Sequence, residues 1–132
     1  ANYFWTESIK NINSELSESE VKKFSSQDYY YLTTIYYMNN PNFSEVAEKL
    51  NLTKPAISVI AAKLSKMGLL EKIQSKEDKR VYHMAVTKKG RRIVEGDEES
   101  YRRIEALIKN IIGDENKYKY IESILEEIVK KL

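Results

Sequence analysis

Apolar residues recur along this chain with helical spacing. In residues 2 to 16, Trp5, Ile9, Ile12 and Leu16 stand at steps of four, three and four, which places them in one stripe on a helix. Residues 17 to 24 are polar apart from Val21 and Phe24. Ser25 stands three residues before Asp28, a capping pattern that predicts a helix through Met38. Asn39-Asn40-Pro41-Asn42 ends it, because proline disfavours helix at the residue before it. Ser44 is the expected cap of a third helix, which carries Val46, Ala47 and Leu50. Thr53 is the expected cap of a fourth, with Pro55 in its first turn and Ile57, Ile60, Ala61 and Leu64 facing inward. Gly68 is placed to stop it.

The period then changes. Leu69 to Ile73 is apolar with two charges, residues 74 to 80 are polar, and Tyr82, Met84 and Val86 alternate with His83 and Ala85. Two short strands around a charged tip predict a β-hairpin. Two long helices follow, about Lys88 to Ile112 and about Glu115 to Leu132. The last carries Tyr118, Ile121, Leu125, Ile128 and Leu132 at steps of three and four, like a short coiled-coil seam. The predicted fold is mainly α with a small β-hairpin wing, a winged helix-turn-helix flanked by N- and C-terminal helices. Residues 1–132 read as a single domain, with 26–90 as the winged lobe and 1–24 and 91–132 as a helical region.

Composition sharpens this picture by exclusion. There is no Cys and one His, so no thiol nucleophile, disulfide, thiolate metal site or multi-histidine centre is expected. Nothing pairs a nucleophile with a base, and no Gly-rich phosphate loop appears, so the chain does not read as an enzyme and calls for no cofactor or metal. No apolar run approaches the ~18 residues of a membrane span. The lack of Cys fits a cytoplasmic protein. The first residue is Ala1 rather than Met, which fits a trimmed N-terminus.

Charge distribution says more than net charge. Residues 53 to 92 hold eleven Lys or Arg and three acids, a net of +8, which leaves −6 for the rest of a +2 chain. A basic middle between acidic ends is the footprint of a polyanion-binding surface.

The second helix of a helix-turn-helix pair can enter the DNA major groove if its outer face is small and polar. Opposite the inward stripe lie Lys54, Ser58, Val59, Ala62, Lys63 and Lys66, and the candidate reading helix also takes in Thr53, Pro55 and Ala56 at its start. Val59 and Ala62 suit thymine methyls, Ser58 can bond several bases, and Lys54 and Lys63 suit phosphate or guanine. The hairpin tip offers Lys76, Asp78, Lys79 and Arg80. Arg80 is suited to a narrow minor groove, and Asp78, two residues away, can pair with it and hold it extended. A solvated turn with a surface ion pair is the plainer alternative. Tyr29, Tyr30, Tyr36 and Tyr37 with Trp5 form a candidate pocket for a small ligand, although packing is the preferred reading of these rings.

Three stretches resemble the MarR family of bacterial transcriptional regulators: Phe43 to Ala47, Leu52 to Ser58 and Leu64 to Lys72. So do Asp78-Lys79-Arg80 and Val86-Thr87-Lys88-Lys89-Gly90. The resemblance implies a homodimer on a pseudo-palindromic double-stranded DNA operator. Terminal helices would join the protomers, with Ile9, Ile12, Leu16, Tyr118, Ile121, Leu125 and Ile128 as the seam. It also implies repression of nearby genes and, in many relatives, release by a small aromatic effector bound between the two regions. By motif position Arg80 would enter the minor groove with Asp78 as its support. Many relatives carry Arg where this chain has Val59 or Ala62, so direct guanine reading is expected to be weaker here. The absence of Cys removes the oxidation switch of some relatives, and the lone His83, in a wing strand, argues against zinc sensing. A winged helix that binds proteins and not DNA is the alternative, because fold alone does not assign function.

Overall fold

The computed structural model describes residues 2–132, apart from the side chains of Asn2, Phe4 and Trp5. The expected pocket role of Trp5 therefore lies outside the described residues. The elements run α1 (Asn2–Glu15), α2 (Glu18–Val21), α3 (Ser26–Met38), α4 (Phe43–Leu50), α5 (Lys54–Lys66), β1 (Leu70–Gln74), β2 (Tyr82–Val86), α6 (Lys88–Ile112) and α7 (Glu115–Lys131). Their contacts divide the chain into two compact units, Ala1–Asp97 and Glu98–Leu132.

Local chemistry sets most of the boundaries in the first unit. Ser25 caps α3 and Asp28 reciprocates, closing a capping box. Thr53 caps α5, with Pro in the first turn. The expected cap of α4 is corrected. Asn42, not Ser44, holds that position, and Glu45 bonds back to the Asn42 N–H at 2.7 Å. The polar stretch after α1 is also helical, because Ser17 and Glu20 form a capping box over α2. Asn51, in the left-handed region at φ 53°, makes the tight turn between α4 and α5. Gly68 takes φ +71° after α5, where a side chain would be strained.

The core of this unit contains Leu32, Ile35, Val46, Ile57, Leu64, Leu69, Met84, Ile93 and Val94, all buried. Each such side chain contributes about 1.5–3 kcal/mol relative to exposure. β1 and β2 pair antiparallel from Leu70↔Val86 to Gln74↔Tyr82. The segment before α4 extends the pairing, as Met84 N–H donates to the Pro41 carbonyl at 2.8 Å. His83 Nδ1 lies 3.0 Å from the Asn40 carbonyl oxygen, so the lone histidine packs the hairpin against the start of α4.

The hairpin is anchored to the start of α6 through Thr87. Its hydroxyl donates to the Gly68 carbonyl at 2.5 Å and accepts from Gly90 N–H at 3.2 Å. A Cβ on Gly90 would come within 2.5 Å of the Leu69 carbonyl oxygen, so the close approach of α6 needs a glycine.

The second unit is simpler. It holds the end of α6, the left-handed Gly113 (φ +64°) and α7, which Asp114 caps through the N–H groups of Asn116 and Lys117. None of the α7 side chains is buried.

Candidate nucleic-acid interface

α4 and α5 form the helix pair, and β1–β2 is the wing. On α5 the Ile57, Ala61 and Leu64 stripe is buried, which turns Lys54, Pro55, Ser58, Val59, Ala62 and Lys63 outward. Val59, on the same outward face, is 70% exposed. Thr53 accepts from Ala56 N–H at 3.3 Å, so its hydroxyl serves the helix cap; Ala56 is half-buried. Ser58 donates to the Lys54 carbonyl at 3.1 Å and remains on the exposed face.

Lys63 departs from the expectation of a phosphate or guanine contact. Its ammonium lies 2.6 Å from Asp28 Oδ2, tying α5 to the start of α3. Asp28 is buried and also accepts from the Ser25 N–H and hydroxyl, at 2.7 and 2.8 Å. Burial works to raise its pKa, but the bonds from Lys63 and Ser25 outweigh it, and the carboxyl sits below the usual aspartate range. Lys63 is thus paired within the lobe while its side chain stays 41% exposed.

The wing tip is ordered by its own residues. Ser75 Oγ accepts from the N–H groups of Glu77 and Asp78 at 3.2 and 3.3 Å, and Ser75 N–H donates to the Val81 carbonyl at 2.9 Å. Asp78 meets Arg80 through two bonds of 3.2 Å, Nε to Oδ1 and Nη2 to Oδ2, and its Oδ1 also accepts the Arg80 N–H at 2.9 Å. These bonds lower the Asp78 pKa. The Arg80 side chain remains 92% exposed, so the brace orients the guanidinium without hiding it. Lys76 and Lys79 are exposed beside it.

The α5 helix and the wing share an opening. A cleft of about 390 Å³ is lined by Lys54 and Ser58 of α5, Phe43 and Ser44 of α4, and Lys72, Arg80 and Tyr82 of the hairpin. Three cations from two elements converge there. Lys72 counts in the sequence only towards the basic segment and has no site role there, because the β1–β2 pairing is needed to bring it near Tyr82.

The tyrosines do not gather into one pocket. Tyr30 and Tyr37 are mostly exposed. Tyr36 and Tyr37 meet edge to face at 5.1 Å and line a cleft of about 270 Å³ with Asn39, Asn40 and Arg91. Tyr29 lies elsewhere, in a cleft of about 240 Å³ with Ile9, Ile12, Val21 and Phe24. Its hydroxyl bonds to Asp97, which also accepts from Ser8 Oγ at 2.9 Å and Asn11 Nδ2 at 3.2 Å. Asp97 is a buried hub for α1, α3 and α6 that sequence reasoning missed, since its partners lie 68 to 89 residues away.

The expected seam also divides. Leu16 is buried in the core and Ile12 packs against it, so both serve the protomer interior, while Ile9 is 39% exposed. In the second unit Ile121, Leu125 and Ile128 are exposed and Tyr118 is half-buried. No described helix is long and apolar enough to cross a membrane.

A helix pair, an exposed reading face and an Arg-tipped hairpin define a winged helix-turn-helix protein. The MarR family model matches residues 24–82, so over that segment the chain is similar to the MarR family. Solved structures share the fold. A MarR-like transcriptional regulator from Thermotoga maritima has 22% identity and a TM-score of 0.65, covering 93% of this chain and 87% of its own. MepR from S. aureus, bound to ethidium bromide, has 14% identity and a TM-score of 0.71, with 98% and 89% covered. FabT from Streptococcus pneumoniae, in complex with DNA, has 24% identity and a TM-score of 0.58, with 95% and 85% covered. No curated protein matches the chain.

Proposed function

We propose that this chain is a dimeric, sequence-specific DNA-binding transcriptional regulator that acts in the cytoplasm as a repressor of nearby genes, by binding and not by catalysis. The observation that carries the reading is the shared opening of α5 and the wing, with Lys54 and Ser58 on one side and the braced Arg80 on the other. α5 would lie in the major groove and Arg80 would reach the adjacent minor groove. With Lys63 engaged by Asp28, base reading would fall to Ser58, Val59 and Ala62, and phosphate contact to Lys54, Lys76 and Lys79. The FabT structure in complex with DNA supports the partner class.

The dimer reading rests on the exposed apolar residues of α7, with Ile121, Leu125 and Ile128 at helical spacing. Two protomers would place two α5 helices on half-sites about 34–36 Å apart. Residues 26–90 would then form the reading lobe, with 1–24 and 91–132 in the dimerisation region. A small aromatic effector that releases DNA remains part of the proposal. The cleft beside Tyr29 offers apolar walls and a hydroxyl for it, and the MepR structure bound to ethidium bromide supports a ligand of this kind.

Selection of genomic fragments on the purified chain tests the reading. The expected result is a pseudo-palindromic site whose affinity falls steeply with salt. Arg80→Ala is expected to weaken binding to that site strongly while leaving the oligomeric state unchanged. Undiminished affinity would remove the wing from the interface, and no fragment retained at low salt would leave a protein-binding winged helix as the better reading.

A further inference from the structure

Lys72 projects from β1 with its ammonium 4.1 Å from the Tyr82 ring centroid and 5.4 Å from that of Phe43. The two rings come from different elements, one opening β2 and the other opening α4. Cation–π attraction to both holds the ammonium at the cleft that Lys54 and Arg80 also line. Among the described residues, neither the Lys54 nor the Lys72 ammonium is paired with a carboxylate. Asp78, near the cleft, is paired with Arg80, and no carboxylate lines the opening itself. Two ammonium groups that line one opening of about 390 Å³ make it a favourable seat for an anion.

We propose that this cleft seats one phosphate of the DNA backbone, with Lys72 and Lys54 as its countercharges. The inference rests on the DNA-binding reading and adds a site to it. A backbone phosphate suits the position because the cleft flanks the exposed face of α5. A helix lying in the major groove brings the bordering strand along that flank. A lysine ammonium held over two rings acts as a fixed point charge with little directional hydrogen bonding, which fits phosphate better than a base edge. Lys72 therefore sets the position of the lobe on the duplex and carries no sequence preference.

The test uses the full chain and its selected duplex, with binding followed by fluorescence anisotropy across a salt series. Lys72→Met keeps the apolar stem over the rings and removes the charge. The slope of log K against log salt is expected to become shallower by about 0.9 for each protomer bound. The loss should be equal on the selected site and on a scrambled duplex, and Lys72→Arg should restore the slope. Neutral methylphosphonate linkages placed singly along the site should include one that weakens the wild type and leaves Lys72→Met indifferent. An unchanged slope in Lys72→Met, or no such linkage, overturns the proposal while DNA binding stands. A wild-type chain that binds no duplex at low salt overturns the DNA-binding reading itself.

Discussion

α5 and α7 carry the same kind of pattern and meet different fates. Both have apolar side chains at steps of three and four. On α5 that stripe disappears into the first unit, with Ile57 and Leu64 at 1% and 0% exposure. On α7 none of it is buried, and Leu125 and Ile128 stand at 58% and 49%. Spacing therefore reports that a helix has an apolar face. It does not report whether the same chain covers that face. α3, α4 and β1 all contact α5, so its stripe closes a core and its other face is free for recognition. The α7 stripe has no such cover among the described residues of its unit, which is why the proposed dimer is assigned to it.

The largest expected effect tests this contrast directly. Leu64→Ala should cost about 2–5 kcal/mol, because a fully buried side chain leaves a cavity as well as lost burial. That loss should not depend on protein concentration. Leu125→Ala should cost less than about 1 kcal/mol in dilute solution, in line with substitutions at exposed sites, and more as concentration rises. Thermal unfolding at two concentrations separates the cases. Equal losses from both variants in dilute solution would break the comparison.

Gly90→Ala should come next, at about 1–3 kcal/mol for overpacking. The new Cβ would sit 2.5 Å from the Leu69 carbonyl oxygen and 2.7 Å from Val86 Cγ1. The backbone oxygen has little room to retreat, since it also accepts the Thr87 N–H at 3.0 Å. Denaturant unfolding checks this, and a neutral effect would mean that α6 can move away from the hairpin at little cost.

What the sequence made legible was local. The Ser25 and Thr53 caps, the Gly68 stop, the hairpin and the Asp78–Arg80 pair all depend on residues within a few positions of each other. The same local rule also explains the misplaced cap of α4. Asn42 has Glu45 three residues on and so completes a box, whereas Ser44 has Ala47 there. The illegible features are long-range. Lys63 reads as a free surface lysine until folding brings it to Asp28, 35 residues earlier. The tyrosines of α3 read as a cluster, but Tyr29 and Tyr36, two turns apart on one face, stand about 10 Å from each other along the axis at ~1.5 Å per residue, and they line separate clefts. Leu16 looked like a seam residue because its stripe was right and its cover lay elsewhere in the chain.

The Asp28–Lys63 pair is expected to matter less for stability than for the orientation of α5. Asp28→Asn should cost on the order of 1–2 kcal/mol, limited because Lys63 is partly exposed to solvent. Since the native carboxyl has a lowered pKa, its contribution is complete above the ordinary aspartate value of 3.8. It is lost as pH falls below that value through the native one. The wild type should therefore lose stability across that acid range more steeply than Asp28→Asn. Parallel acid profiles would show that the pair adds nothing to folding.

The smallest effects are expected where α7 meets its neighbour in the second unit. Glu105 accepts from Lys109 at 2.8 Å and from the Tyr118 hydroxyl at 3.2 Å, and Lys109 stands 4.7 Å from the Tyr118 ring centroid. The hydrogen bond from Lys109, then its charge and the Tyr118 hydroxyl, lower the Glu105 pKa, and donating that bond to Glu105 raises the pKa of Lys109. The pair's contribution therefore holds between the two ordinary values, 4.5 and 10.5, and fades as pH falls below the first or rises above the second. These groups are solvated, so Glu105→Gln should leave thermal unfolding nearly unchanged. If α7 depended on this cluster and not on a partner, the variant would expose α7 amides to rapid hydrogen exchange at every concentration. If a second copy covers the stripe, α7 protection should instead rise with protein concentration in variant and wild type alike, while α5 protection stays constant.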